Sequence, residues 1–341
     1  MSNFAARFGA FVLLCLASFL SGCNRTTPPQ STLAPSNRVV LYCSVDEVYA
    51  KPIIKDLEQR TGLRIDALFD TEATKTAGLT NRIRTEKSNP RGDVFWSSAL
   101  LQTLLLQREG LLQPYVSISA RDVPQAFKDK AGYWTGMGAR ARVFVWHQGF
   151  KGKASQLSDL LQPSLKNRVA ISNPQFGTAS DWAAALGVRW GAARTTKYFA
   201  GLKGNGVQVL PGNSDVARRV ATGELLAGVT DADDFWAQNA RSSSLQSALI
   251  QPASKITTTP ADDVRVPGSV AMLAGAPHPQ AARKLIDALL AAQIERALMQ
   301  QMRGVVSVRD ASLRSVSNDS ARWPAAWDKL REPLAEILLT N

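Results

Sequence analysis

The sequence predicts an α/β fold in two lobes, with mixed sheets flanked by helices and joined by two crossing strands. Three observations carry that prediction. From residue 38 onward, short apolar strand-like runs alternate with helix-period segments, the rhythm of parallel sheets covered by helices. Polar junctions sit after the strands and before the helices, where open α/β sheets gather their ligands. Two longer extended stretches, Ala141 to Trp146 and Val264 to Leu273, break the alternation and read as passages between lobes.

The elements follow in order. Arg38 to Cys43 is an apolar β run, and polar Ser44 to Glu47 follow it. A helix then sets Ile53, Ile54 and Leu57 on one face, with Pro52 expected in its first turn and Gly62 at its end. Leu63 to Phe69 alternates as a second strand, Asp70 to Thr74 is the next junction, and Leu79 and Ile83 mark a helix. Asp93 to Trp96 is a third strand, Ser97-Ser98 a junction, and Leu100, Leu101, Leu104 and Leu105 a helix that Gly110 stops. The second half repeats the logic. Arg168 to Ile171 leads to a Gly-containing loop at Asn173 to Ala179 and a helix from Asp181. Val207 to Leu210 leads to Gly212-Asn213-Ser214 and a helix carrying Val216 and Val220. Leu225 to Val229 runs into Thr230-Asp231-Ala232-Asp233-Asp234. The expected allocation is residues 38–140 plus 266–341 in lobe one and 141–265 in lobe two, with the closing helices of Leu285, Ile286, Leu289, Leu290 and Leu298 packed on lobe one.

The first 37 residues read differently. Arg7 supplies a positive n-region, Phe8 to Leu20 a short apolar h-region, and small residues precede Cys23, the plan of an export signal. Leu20-Ser21-Gly22-Cys23 resembles a lipobox, which implies cleavage after residue 22 and lipidation of Cys23; an ordinary secretory signal is the alternative. The apolar stretch is shorter than the about 20 residues of a membrane span. Residues 23–37, rich in Thr, Pro, Ser and Asn, read as a flexible tether.

Composition excludes several functions. Hydrophobic residues make up 45% of the 341, enough for a substantial core, and the formal net charge is +12. The Lys and Arg residues are scattered among acids without aromatic interleaving, so no nucleic-acid surface is indicated. Of three cysteines, Cys15 would leave with the signal and Cys23 would carry lipid, so Cys43 has no partner for a bridge or a metal cluster. It is expected to pack as a small apolar group. The two histidines, His147 and His278, lack ligand spacing, and His278 in Ala-Pro-His-Pro is expected at the solvent. There is no Gly-x-Ser-x-Gly elbow and no His-Glu-x-x-His, and no enzyme is expected.

Four junctions offer site residues. Asp231, Asp233 and Asp234 follow a buried strand and suit a cation or an amine, or else one of them caps the next helix. Thr71 and Glu72 stand in Asp70 to Thr76, where capping, ligation and an anion at a helix N-terminus are all open. Ser44, Asp46 and Glu47 follow the first strand by the same logic, and Ser98 the third. Gly177 and Thr178 open a helix as an anion cradle, without nucleotide-loop spacing. Arg140 and Arg142 either reach an anion or serve as hinge ion pairs. Trp96 is a candidate cleft wall, although an aromatic ending a central strand suits a core.

Leu41 to Glu47, Phe69 to Thr76, Asp93 to Trp96, Ala139 to Val143 and Gly228 to Asp234, taken in order, resemble bacterial ABC-transporter extracellular solute-binding proteins of family 1, the ferric-iron-binding type in particular. The resemblance covers about Val39 to Leu298. It implies the class II periplasmic-binding-protein fold, capture of a small solute between lobes, delivery to an ABC permease and ATPase, and a monomer in the periplasm that touches membrane only through its lipid. In ferric-binding relatives a histidine, a glutamate and two adjacent tyrosines hold iron. The matching positions here are Asp46, Ser98 and Asp233-Asp234, so a phenolate pair is missing. A metal would then rest on Asp46, Glu72, Asp233 and Asp234. The readings carried forward are a ferric-type metal ion or small charged solute as cargo, with no resident cofactor. The alternatives are an aminophosphonate- or polyamine-type organic cargo, a periplasmic metal-dependent enzyme, and a sensory lipoprotein partnering a receptor.

Overall fold

The computed structural model describes residues 37–70, 77–151, 156–241, 245–248, 264–310, 313 and 319–340. The signal, the tether with Cys23, and the junction residues Thr71 and Glu72 lie outside the described residues.

The first lobe opens with β1 (Arg38–Cys43), α1 (Glu47–Thr61), β2 (Arg64–Phe69), α2 (Ala77–Thr85), β3 (Val94–Ser97), α3 (Leu101–Arg108) and β4 (Leu112–Gln113). A long strand, β5 (Trp134–His147), leads to β6 (Val169–Ser172), α4 (Gly177–Trp190), α5 (Ala192–Gly204), β7 (Gln208–Leu210), α6 (Asn213–Ala221), β8 (Ala227–Asp231), α7 (Ala232–Asn239) and β9 (Leu245–Ala248). The chain returns through β10 (Arg265–Leu273), α8 (Pro279–Leu289), α9 (Ala292–Gln301), β11 (Val305–Val306), α10 (Trp323–Asp328) and α11 (Arg331–Leu339).

Strand pairing explains the two lobes. The sheet order is β2-β1-β3-β10-β5-β8-β6-β7. β1 lies parallel to β2 and β3, while β10 runs antiparallel to β3 and β5. The first half of β5 pairs with β10 as far as Ala141; from Arg142 it pairs with β8, which lies parallel to β6. One strand thus leaves the first sheet and enters the second between Ala141 and Arg142. The two sheets are mixed, as expected, and the crossing strand is longer than its apolar signature, because Trp134 to Arg140 is interrupted by Gly136 and Gly138.

Local differences from expectation have simple causes. α1 begins at Glu47, which puts Pro52 inside the helix rather than in its first turn. The missing N–H falls opposite the carbonyl of Val48, a residue 70% exposed, on the solvent side of the helix. Gly62 ends α1 in the left-handed region, φ 67°. α4 starts at Gly177, earlier than the polar pattern indicates, so Asp181 sits within it. His278 does not face open water: its Nδ1 lies 2.9 Å from an oxygen of wholly buried Asp93. Cys43 is buried, and burial pushes its thiol well above its usual range; it packs as a small apolar group.

Apolar side chains from α1, α8 and α9 (Leu57, Leu285, Leu298) cover one face of the first sheet. Val216, Val220 and Phe235 cover one face of the second. A third cluster runs through both halves, from Phe95 and Leu101 to Trp182, Phe199, Trp323 and Trp327. This is where the closing residues depart from the expected allocation. α8 and α9 pack on α1, while α10 packs on α4 and also on α3, and α11 packs on α5, with Trp323 and Trp327 buried in this third cluster. Burying such side chains is worth about 1.5–3 kcal/mol each.

Candidate functional site

The carboxyl ends of β1, β3, β6, β7 and β8 converge on one cavity of about 40 Å³. Asp46 reaches it from the β1–α1 junction, Ser98 from β3–α3, and Arg140 from the crossing strand. The far wall is built from Ser172 to Thr178, Pro211 to Asn213, and Asp231, Asp233 and Asp234. Such a volume holds about three or four waters by the criterion of about 10–15 Å³ each. Asp46 and Asp234 also line a wider groove of about 650 Å³ that includes Glu47, Tyr49 and Arg241.

The three aspartates after β8 place a ligand oxygen each within 4.8 Å of one another, yet they differ. Asp231 is saturated: Arg142 Nη1 donates to it at 2.8 Å, Asn213 Nδ2 at 3.0 Å, and the Thr178 hydroxyl donates as well. Arg142 also donates to Asn213 Oδ1 at 2.8 Å and lies over the Trp182 ring. Asp231 occupies the N-cap position of α7 without a side-chain capping bond, so capping does not explain it. It is framework for the second lobe.

Asp233 is the reactive member. Its Oδ2 accepts from Arg140 Nε at 2.9 Å, and Arg140 Nη1 donates to the Ser98 carbonyl at 2.9 Å. Its Oδ1 is buried with no partner. Burial raises the Asp233 carboxyl above its usual range, and the charges of Asp231 and Asp46 add to this against the pull of Arg140. For Arg140, burial works against its charge, but Asp233, Asp231 and Asp46 outweigh it and hold the guanidinium ionised. Both arginines are ion-paired, Arg140 with Asp233 and Arg142 with Asp231, and Arg140 also lines the cavity.

Ser44 Oγ accepts from the Ser98 N–H at 3.0 Å and lies within hydrogen-bond reach of the Ser97 and Ser98 hydroxyls. Gly177 (φ 52°) keeps the head of α4 free of a Cβ, and neither α4 nor α6 carries a side-chain cap. Their first-turn residues line the cavity and leave backbone donors for an oxyanion. Glu47 is exposed at the rim. Trp96 is not a cleft wall: it is 1% exposed, packed among core side chains.

One residue escaped the sequence reading. Tyr49, in the first turn of α1, lines the outer groove, and burial raises its phenol pKa, with the nearby charges of Asp233, Asp46 and Asp234 adding to it. Its position three residues after Asp46 was the available signal. Tyr198 packs against Trp190 and Phe199, so among the described residues no phenolate pair faces the aspartates.

A profile of bacterial extracellular solute-binding proteins matches residues 40–301. The chain belongs to that family. This solute-binding protein is 28% identical over 238 residues to iron uptake protein A1 of Synechocystis sp., an alignment covering 67% of this chain and 63% of that one. The chain thus spans less than two thirds of that curated relative. Among solved structures, iron-bound HitA of Pseudomonas aeruginosa superposes with a TM-score of 0.73 at 18% identity, covering 88% of this chain and 99% of that one. AfuA of Actinobacillus pleuropneumoniae, with fructose-6-phosphate bound, gives 0.75 at 18%, covering 89% and 99%. At that identity the likeness is one of fold, and the fold is the bilobal one of periplasmic binding proteins. The family consists of solute-binding proteins rather than enzymes, and its resemblance to ferric-iron-type members is borne out.

Proposed function

We propose that this protein is the substrate-binding component of an ABC importer and that it holds a small cationic cargo, a ferric-type metal ion, between its lobes. The observation that carries the reading is the buried, unpartnered Oδ1 of Asp233 inside a cavity it shares with Asp46 and Asp234. A carboxylate oxygen deprived of water stands at a high electrostatic cost until it meets a proton donor or a cation. Arg142 is paired with Asp231 and Arg140 with Asp233, and the carboxylates of Asp46 and Asp234 line the same cavity. Hard oxygen donors of this kind suit a hard cation. The uncapped starts of α4 and α6 supply N–H groups for an accompanying anion.

The mechanism is closure. Asp46, Ser98 and Arg140 approach from one side and Asp231 to Asp234 from the other, so a ligand touching both stabilises the closed form by its differential contacts. We assign the first lobe to residues 38–140 with 266–306, and the second to residues 141–265 with α10 and α11. A lipid on Cys23 would hold a monomer at the periplasmic face of a membrane, beside a permease and its ATPase. A second reading, an aminophosphonate-like zwitterion, is favoured by the same pairing of helix starts with carboxylates, its amine on Asp233 and Asp234 and its oxyanion on α4.

The test is calorimetric titration of Fe³⁺ with phosphate, and separately of 2-aminoethylphosphonate, into the wild type and into Asp46→Asn and Asp234→Asn. Each variant should lose at least tenfold in affinity for the cargo while unfolding at the wild-type temperature. Wild-type affinity in both would overturn the carboxylate site. Asp233→Ala is a poor probe, since it would strand the buried guanidinium of Arg140.

A further inference from the structure

Helix α3 has no N-cap of its own. Its cap position is Leu100, in helical backbone geometry and without a side-chain acceptor. The cap comes from the other lobe: Asp181 Oδ1, on α4, accepts from both the Leu100 and Leu101 N–H groups at 2.8 Å. Asp181 is wholly buried, and its Oδ2 has no partner. The contact joins the two ligand walls. Leu100 follows Ser98 by two residues, and Asp181 follows Thr178 by three, one turn along α4; Ser98 and Thr178 both line the cavity.

We propose that Asp181 is a positioning residue for cargo binding, a cap shared across the lobes that couples closure of the cleft to uptake of one proton. This rests on the cleft being the ligand site, although the device acts without ligand. When the lobes part, α3 loses the Asp181 acceptor and Asp181 gains water. When they close, the carboxyl is sealed beside two backbone donors, and the charge of Asp231, at the end of β8, acts on it. Arg142, on β5, is spent on Asp231. The remaining charged pair joining these elements, Arg108 of α3 with Asp328 of α10, is exposed.

Burial raises the Asp181 carboxyl to about 7 in this closed arrangement; the Asp231 charge adds to it and the Leu101 and Leu100 donors oppose it. The sign follows. A hydrated Asp181 in an open form titrates near the ordinary value of about 3.9, so between that value and about 7 the closed form holds one more proton. Closure is then favoured as pH falls through neutrality, and the unpartnered Oδ2 is where the proton resides.

The test uses the ligand-free protein, so its failure is separate from failure of the cargo assignment. Interlobe distance is followed by small-angle scattering or by a pair of spin labels between pH 8 and 5, in the wild type, Asp181→Asn and Asp181→Ala. The wild type should shift toward the compact form as pH falls. Asp181→Asn, which keeps an oxygen acceptor and cannot titrate, should be compact and indifferent to pH. Asp181→Ala should be more open at every pH, with circular dichroism confirming that it is folded. A pH-dependent shift persisting in Asp181→Asn, or an Asp181→Ala distribution identical to wild type, overturns the proposal.

Discussion

Asp231 and Asp233 stand two positions apart, and the fold gives them opposite employment. Asp231 meets Arg142, Asn213 and Thr178 and has nothing left to offer. Asp233 keeps an oxygen in reserve. Removing Asp231 would strand Arg142, whose side chain is 1% exposed, and breaking a buried pair in this way is strongly destabilising. Asp231→Ala should therefore lower unfolding stability by about 3–5 kcal/mol in denaturant titration. A loss under 1 kcal/mol would show that Asp231 is not framework. The cluster itself was legible from sequence, because three carboxylates after an apolar strand are conspicuous. Which one was spent was not, since the partners Arg142, Thr178 and Asn213 lie far from Asp231 in sequence. Tyr49 and Asp181 escaped notice for the same reason: their neighbours are set by tertiary contact.

At the scale of elements, the site depends on how α7 is seated. The turn after α9 presses Gly304 against it: a Cβ there would come within 2.8 Å of the Ala232 carbonyl and the Trp236 ring, and Gly304 has φ 97°. Arg303 lies 3.5 Å over the Trp236 ring. Gly304→Ala should displace α7 together with Asp233 and Asp234. The expected outcome is a loss of roughly 1–3 kcal/mol in stability, read by thermal unfolding, with cargo affinity falling in parallel; an unperturbed variant would contradict this account of α7. Strand-loop-helix order was readable from the alternation of apolar runs and polar junctions. The starts of α1 and α4 were not, because they are closed by backbone bonds, from the Tyr49 and Ala50 N–H groups to the Asp46 carbonyl and from the Ser180 N–H to the Phe176 carbonyl, rather than by side-chain caps. The destination of α10 and α11 was equally hidden, since their buried tryptophans carry no label for the surface they cover.

For the whole molecule, the long strand β5 and the returning β10 give one continuous framework whose junctions meet at a single cavity, and the cavity joins both lobes through Arg140, Asp233 and the Ser98 carbonyl. Bilobal architecture was legible because the crossing stretches stand out from the regular alternation. The cargo was not legible: the sequence shows carboxylates at the junctions and no tyrosine pair beside Asp233 and Asp234, which does not name a ligand. The central claim, that this cleft captures a small cation with an accompanying anion, is tested most directly by thermal unfolding of the protein with Fe³⁺ plus phosphate, against phosphate alone and against 2-aminoethylphosphonate. A ligand specific to the folded state stabilises by about 2.7 kcal/mol at a hundredfold excess over its dissociation constant. The account predicts a raised midpoint with Fe³⁺ plus phosphate that Asp234→Asn abolishes. An unchanged midpoint with the metal, or a shift that survives Asp234→Asn, would contradict it.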